Sequence, residues 1–233
     1  MAIGAMILAA GRGERMRPLS DACPKPLLAV GGEPLIVRQL RALARAGFAD
    51  VAINASHLAE RLVEAIGDGA RFGARVRWSR EDTPLEAAGG IATALPLLPP
   101  GPALVVSGDV WTGYDYSRLR PVAEAMAANA AAPRVHLVMV PNPAYHPRGD
   151  FALRDARLVP DGEPRLTYGN IGVYDTALFA ALPRHARIAL GPLLREWIGR
   201  GLVAGERYDG PWENVGTPDD LARLDAALKE DRR

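Results

Sequence analysis

A chain of 233 residues is long enough for one large domain with a substantial core, or at most two small ones. Hydrophobic residues make up 48% of it and charged residues 24%, with a formal net charge of +1. No field of one sign points to nucleic acid or a membrane surface, so any bound anion must be held locally. The single Cys23 excludes an intramolecular disulfide and fits a reducing, cytoplasmic setting.

The first element is an apolar run, IGAMIL over 3–8. It has no basic segment before it and runs straight into Arg12, Glu14 and Arg15, so it reads as a buried strand and not as a leader. A helix follows in which Ile36, Leu40 and Leu43 share one face, Arg38, Arg41 and Arg45 mostly the other, and Gly47 ends it. Further strands are expected at 51–54, 75–79 and 103–106. The uncharged stretch 91–108 contains four prolines, which would break a lipid-exposed helix; it reads as helix end, loop and buried strand. Repeated strand–helix units imply a mainly parallel sheet covered on both faces, with ligands bound beyond the carboxyl ends of its strands.

After residue 130 the rhythm loosens. Strands are expected at 134–140 and 165–175, joined by Pro- and Gly-rich connectors. A closing helix begins at GTPDDLARLDAALKE, with Thr217 as N-cap, Pro218 in the first helical position, and Asp219 and Asp220 complementing the helix dipole.

LAAGRGERMRP directly follows the first strand, where backbone N–H groups can turn toward an anion. It lacks the third glycine of a dinucleotide fingerprint, and the chain has no G-x-x-x-x-G-K-[ST] P-loop. Taken alone, the G-x-G fits a tight turn with solvated arginines as readily as a phosphate cradle. Lys25, between Pro24 and Pro26, is expected on extended backbone that displays an ammonium at a fixed place, while Arg15 supplies a guanidinium fork. Asp109 in ALVVSGDVW stands at the same sheet edge, placed to hold Mg²⁺ beside a triphosphate.

These motifs together resemble the sugar-1-phosphate nucleotidyltransferases: L-A-A-G-x-G-x-R-M-x-P, then P-K-P, GDVW, GNIGVY and WENVGTPDDL in that order. Within that family, GDGARFG, PLEAAGGI, GDVWTGYD and NPAYHPRGDF are most similar to the N-acetylmuramate α-1-phosphate uridylyltransferases. The resemblance implies a Rossmann-like three-layer α/β/α nucleotidyltransferase domain with a mixed, mainly parallel central sheet. One domain over 1–233 is expected, with a nucleotide-binding half over about 1–110 and a sugar-binding half over about 111–233. The chain ends soon after its closing helix, so one reaction is expected, without the β-helix some related enzymes carry.

The implied reaction is Mg²⁺-dependent transfer of a uridylyl group from UTP to a sugar 1-phosphate, with N-acetylmuramate 1-phosphate favoured. By resemblance, Leu8, Ala9, Ala10, Gly11 and Gly13 cradle the nucleotide, Arg15 and Lys25 act at the phosphates, and Asp109 and Asn214 hold the metal. Asn214 departs from the family's aspartate in W-x-D-x-G-T; its carbonyl can still coordinate but adds no charge. Glu213 is no substitute, since neighbours in an extended segment face opposite sides. Glu81, Glu86 and Ala87 lie where the family reads the base. An ionised Glu81 can take the N3–H of uracil, yet suits guanine's two donors as well; a solvated strand-end charge is the competing reading.

For the sugar, Asn170 matches a family position, while Arg148 is expected to pair with a lactyl carboxylate beside Asp150. His146 and Trp111 are candidates to line the same pocket, though a loop histidine and a packing indole are the favoured readings. Guanylyl, uridylyl or thymidylyl transfer to mannose or glucose 1-phosphate is the alternative, and a noncatalytic nucleotide-sugar-binding subunit is the alternative of another class. No nucleic-acid or membrane partner is expected, and oligomeric state is open, a monomer included.

Overall fold

The computed structural model describes residues 3–230. In chain order the strands are β1 (Gly4–Leu8), β2 (Ala29–Val30), β3 (Glu33–Pro34), β4 (Asp50–Ala55), β5 (Arg75–Arg80), β6 (Pro102–Ser107), β7 (Val110–Thr112), β8 (Val135–Val140), β9 (Phe151–Arg154), β10 (Arg157–Val159), β11 (Arg165–Asp175), β12 (Val203–Arg207) and β13 (Trp212–Asn214). The α-helices are α1 (Leu19–Ala22), α2 (Leu35–Arg45), α3 (Ala59–Ile66), α4 (Glu86–Ala94), α5 (Leu119–Ala128), α6 (Leu190–Gly199) and α7 (Pro218–Glu230).

Nine strands form one twisted sheet in the order β5-β4-β1-β6-β11-β8-β12-β10-β9. The sheet is mixed, as expected, and its parallel character is concentrated in the first half. There β4, β1 and β6 run side by side and β5 joins β4 in parallel. Beyond β6 the long β11 runs antiparallel to both β6 and β8, and among the remaining pairs only β8–β12 is parallel.

The period-2 alternation of β1 assigns its faces. Ala5 and Ile7 pack with Ile36, Leu40 and Leu43 of α2, Leu62 and Ile66 of α3 and Leu119 of α5. Met6 faces the other way, toward Ala88 and Ile91 of α4 and Leu194 and Trp197 of α6. Helices therefore cover both faces, giving the three-layer α/β/α arrangement. The end of α2 follows its sequence: Gly47 takes φ 83°, and the amides of Phe48 and Gly47 donate to the carbonyls of Leu43 and Ala44 at 2.9 and 3.0 Å.

Helix α7 is held outside the large sheet by a third cluster of Met16, Leu28, Val30, Leu35, Val215 and Leu224. Thr217 caps it as expected, its Oγ1 accepting from the Asp220 amide at 3.2 Å, and Asp220 Oδ2 returns bonds from the amides of Gly216 and Thr217. Because Met16 lies just past the glycine turn and Val215 just past Asn214, this cluster clamps two distant segments beside one another.

Candidate active site

The carboxyl ends of β1, β4, β5 and β6 open into a cleft of about 940 Å³. All five expected nucleotide-turn residues line it: Leu8, Ala9, Ala10, Gly11 and Gly13. Gly13 sits at φ 63°, and a Cβ there would come within 3.2 Å of Lys25 Cβ and 3.3 Å of Ser20 Cβ, so any other residue would be both strained and crowded. Ser20 Oγ donates to the Gly13 carbonyl at 2.8 Å and fixes the turn from behind. Around Gly11 a Cβ would meet only open space, so its bareness keeps cleft volume free.

Lys25 and Arg15 line the same cleft, as does Asp109 from the end of β6. The Lys25 ammonium meets Asp109 Oδ2 at 2.5 Å, with the lysine side chain 11% exposed. One expectation about the backbone is corrected. Pro24 is extended, but Lys25 itself opens a 3-10 turn, Lys25–Leu27, because the amides of Leu27 and Leu28 bond back to the carbonyls of Pro24 and Lys25. The turn holds the lysine stem in place beside Asp109. Gly108 completes the junction by donating to the Leu8 carbonyl at 2.9 Å, which sets Asp109 beside the glycine turn.

The ribbon β7–β13 carries Asn214 to the same neighbourhood: Asn214 is in register with Val110, and the Val215 amide donates to the Asp109 carbonyl at 3.0 Å. Glu213 faces away and pairs with Arg223 of α7 at 2.6 Å, as the alternation of an extended segment demands.

At the base end, Glu81 is 6% exposed, which overturns the solvated-charge reading. Asn54 Nδ2 donates to its Oε1 at 2.7 Å and the Leu85 amide to its Oε2 at 2.9 Å. Burial pushes its carboxyl above the usual range, while these two donors and the nearby His185 pull it back. Glu86, at φ 62°, opens α4, and it lines the cleft with Ala87. The next two amides of the helix, Ala88 and Gly89, both donate to the Ile188 carbonyl at 3.1 Å, while the Ile188 amide donates to Leu85. A strap ahead of α6 therefore fixes the entry of α4, and its Arg187 reaches over to Glu86 at 2.8 Å.

A second pocket of about 330 Å³ adjoins the first, with Ala87 lining both. Asp150, Asn170 and Asn214 line it, as does His146. Asn170 takes φ 56° where the register of β11 against β8 shifts between Tyr168 and Gly172; this bulge turns a strand residue toward the pocket, and asparagine tolerates the left-handed backbone. Asp150 is braced, accepting from the Tyr168 amide at 2.8 Å and standing 3.1 Å from His146 Nε2.

Arg148 does not line the pocket. It is exposed on the 141–149 loop, because the turn that brings Asp150 in, with Gly149 at φ 59°, carries Arg148 out. The guanidinium of this pocket belongs to Arg195 of α6, which sequence reading passed over along with Tyr145 and Trp212. Trp111 packs with the α7 cluster, as expected of a packing indole.

The nucleotidyl transferase family model matches residues 4–147, more than half the chain. The chain belongs to that family. The nucleotidyltransferase is 43% identical over 217 residues to the N-acetylmuramate alpha-1-phosphate uridylyltransferase of Neisseria meningitidis serogroup B, covering 91% of this chain and 93% of that one. It is 32% identical to the protein of the same name from Caulobacter vibrioides, with 97% of each chain covered. Mannose-1-phosphate guanylyltransferase of Mycobacterium tuberculosis is 28% identical, and the match spans 64% of its length. Among solved structures, a Bacillus anthracis chain in complex with a sucrose superposes with a TM-score of 0.84 at 20% identity, covering 98% of this chain and 96% of that one. The last likeness bears out the fold.

As a metal site the transferase offers a sparse donor set. Among the described residues no three His, Cys, Asp or Glu side chains converge. Asp109 gives one oxygen to Lys25, and Asn214 Oδ1 is buried with no hydrogen-bond partner among the described residues. One carboxylate and one orphaned amide oxygen suit a hard cation that brings phosphate oxygens and water as its remaining ligands. No described helix is long and apolar enough to cross a membrane.

Proposed function

We propose that this protein transfers a uridylyl group from UTP to N-acetylmuramate 1-phosphate, giving UDP-N-acetylmuramate and pyrophosphate, within a single cytoplasmic domain of the cell-wall recycling type. The observation that carries the choice of substrates is the 43% identity, over nearly the full length of both chains, to a relative bearing that name. The geometry supports the reaction class, since a large cleft and a smaller pocket meet at Ala87 with Lys25, Asp109 and Asn214 around them.

In this reading the triphosphate lies on the amides of the glycine turn and the uracil lies between Glu81 and the entry of α4. A phosphate oxygen of the sugar phosphate attacks the α-phosphorus in line; the bond to the bridging oxygen breaks and pyrophosphate leaves. Lys25 stabilises charge on the reacting phosphates and Arg15 on the departing ones. Asp109 and Asn214 would hold Mg²⁺, which when bound screens phosphate charge and orients both substrates. Arg195 is the cation in the sugar pocket suited to an anionic group of the acceptor, with Asn170 and Asp150 available to its hydroxyl or N-acetyl groups.

A second reading, guanylyl transfer, is favoured by one observation: the Glu81 carboxylate lines the cleft as an acceptor, which suits guanine's adjacent donors too. Pyrophosphate release from UTP, GTP, dTTP and ATP against a set of sugar 1-phosphates decides between them. Turnover confined to UTP with N-acetylmuramate 1-phosphate is expected; faster turnover with GTP and mannose 1-phosphate would replace the first reading with the second.

A further inference from the structure

The nucleotide cleft contains a buried polar connection that the proposed reaction does not use directly. Asn54, at the end of β4, is 3% exposed. Its Oδ1 accepts from the Ala9 amide at 2.7 Å, which fixes the orientation of the side-chain amide, and its Nδ2 then donates to Glu81 Oε1 at 2.7 Å. Glu81 Oε2 continues the connection to the Leu85 amide at 2.9 Å. Three neighbouring strand ends and the entry of α4 are thus joined through two side chains. Gly90 makes room for them: a Cβ there would lie 2.7 Å from Asn54 Nδ2 and 3.0 Å from Glu81 Oε1.

We infer that Asn54 is a positioning residue for nucleotide selection, holding the Glu81 carboxylate in register with the phosphate turn so that base and triphosphate are measured against one another. A buried acceptor-only group with both oxygens engaged has one orientation, and a base that offers no donor to it meets an unpaired charge. Asn54 is the one of the two side chains that bonds both the glycine-turn segment and the Glu81 carboxylate. This inference rests on the reading of Glu81 as a base contact.

The test is equilibrium binding of UTP by calorimetry, with kcat measured in parallel. Asn54→Ala is expected to raise the UTP Kd by about tenfold or more, the loss of a bond to a charged group, while the KM for the sugar phosphate stays within about twofold. Asn54→Asp sets a second carboxylate against Glu81 in place of the donor. The two can coexist only while sharing a proton, so UTP binding should weaken as pH rises, over a range where the wild type is flat. The other groups about this pair are the Ala9 and Leu85 amides, the Gly90 backbone and His185, while Glu86 and Arg187 pair with each other.

The double variant N54D/E81Q restores a donor opposite an acceptor and should lose that pH dependence. Should N54D not fold, N54A alone decides. An N54A protein with a lower Tm but an unchanged UTP Kd overturns the inference, leaving Asn54 a structural residue. A wild type that binds UTP yet releases no pyrophosphate with any sugar phosphate overturns the proposed function and leaves this inference standing.

Discussion

The two pockets are built by different means. The nucleotide cleft stands on the parallel strands β5, β4, β1 and β6, and its residues come from the short segments that follow each strand. The smaller pocket stands on the antiparallel part, from a bulge in β11, a loop before β9, one face of α6 and the ribbon strand β13. In the first region the lining groups come from the glycine turn and the segment after it, and from residues directly past β5 and β6, so contiguous stretches of sequence mark them. In the second, side chains from elements far apart in the chain converge, and each one taken singly looks ordinary.

The contrast predicts which changes hurt most and where. Lys25→Ala should have the largest effect, lowering kcat by about 10²–10³-fold with a smaller change in KM, because its charge is needed where charge develops. Single-turnover rates of pyrophosphate release would read it; a change confined to KM would move Lys25 from the chemistry to ground-state binding. Arg195→Ala should raise the KM for the acceptor about 10- to 100-fold and leave the UTP KM near its wild-type value. Arg148→Ala, on the exposed loop, should shift the acceptor KM by less than about twofold, within the usual range of surface substitutions. The reverse ranking of the two arginines would restore the sequence expectation and break the assignment of the pocket.

Glu81 allows a pH test. Burial raises its folded-state pKa, so the charged form that accepts from a base is lost as pH falls through that raised value, and kcat/KM for UTP should have an acid limb above the ordinary carboxylate range. Glu81→Gln should remove the limb. The same shift has the opposite sign for folding: the protonated form is favoured in the native state, so this group contributes stability as pH falls. Asn214→Asp should give a modest change, a severalfold drop in the Mg²⁺ concentration needed for half-maximal rate, from one added negative ligand.

Much of the nucleotide end was legible before any coordinates. Gly13, Lys25 and Asp109 stand out only in combination, since each alone fits an ordinary turn, and Thr217 was recognisable as a cap from its own neighbourhood. Glu81 was visible but not its state, since burial and its partner Asn54 depend on how β4 lies beside β5. The exposure of Arg148 was not legible, because a tight turn at Gly149 separates it from Asp150. Nothing local marks Arg195, a polar position on an amphipathic helix.

The sequence by itself determined the strand–helix rhythm and the glycine turn after the first strand, because these depend on backbone conformation and on residues close along the chain. Only the tertiary structure decided which arginine lines the smaller pocket, which donors engage the two Glu81 oxygens and how Asn214 comes beside Asp109. Those outcomes depend on strand order, a bulge and the packing of α7, which long-range pairing of the chain imposes and no short stretch of residues encodes.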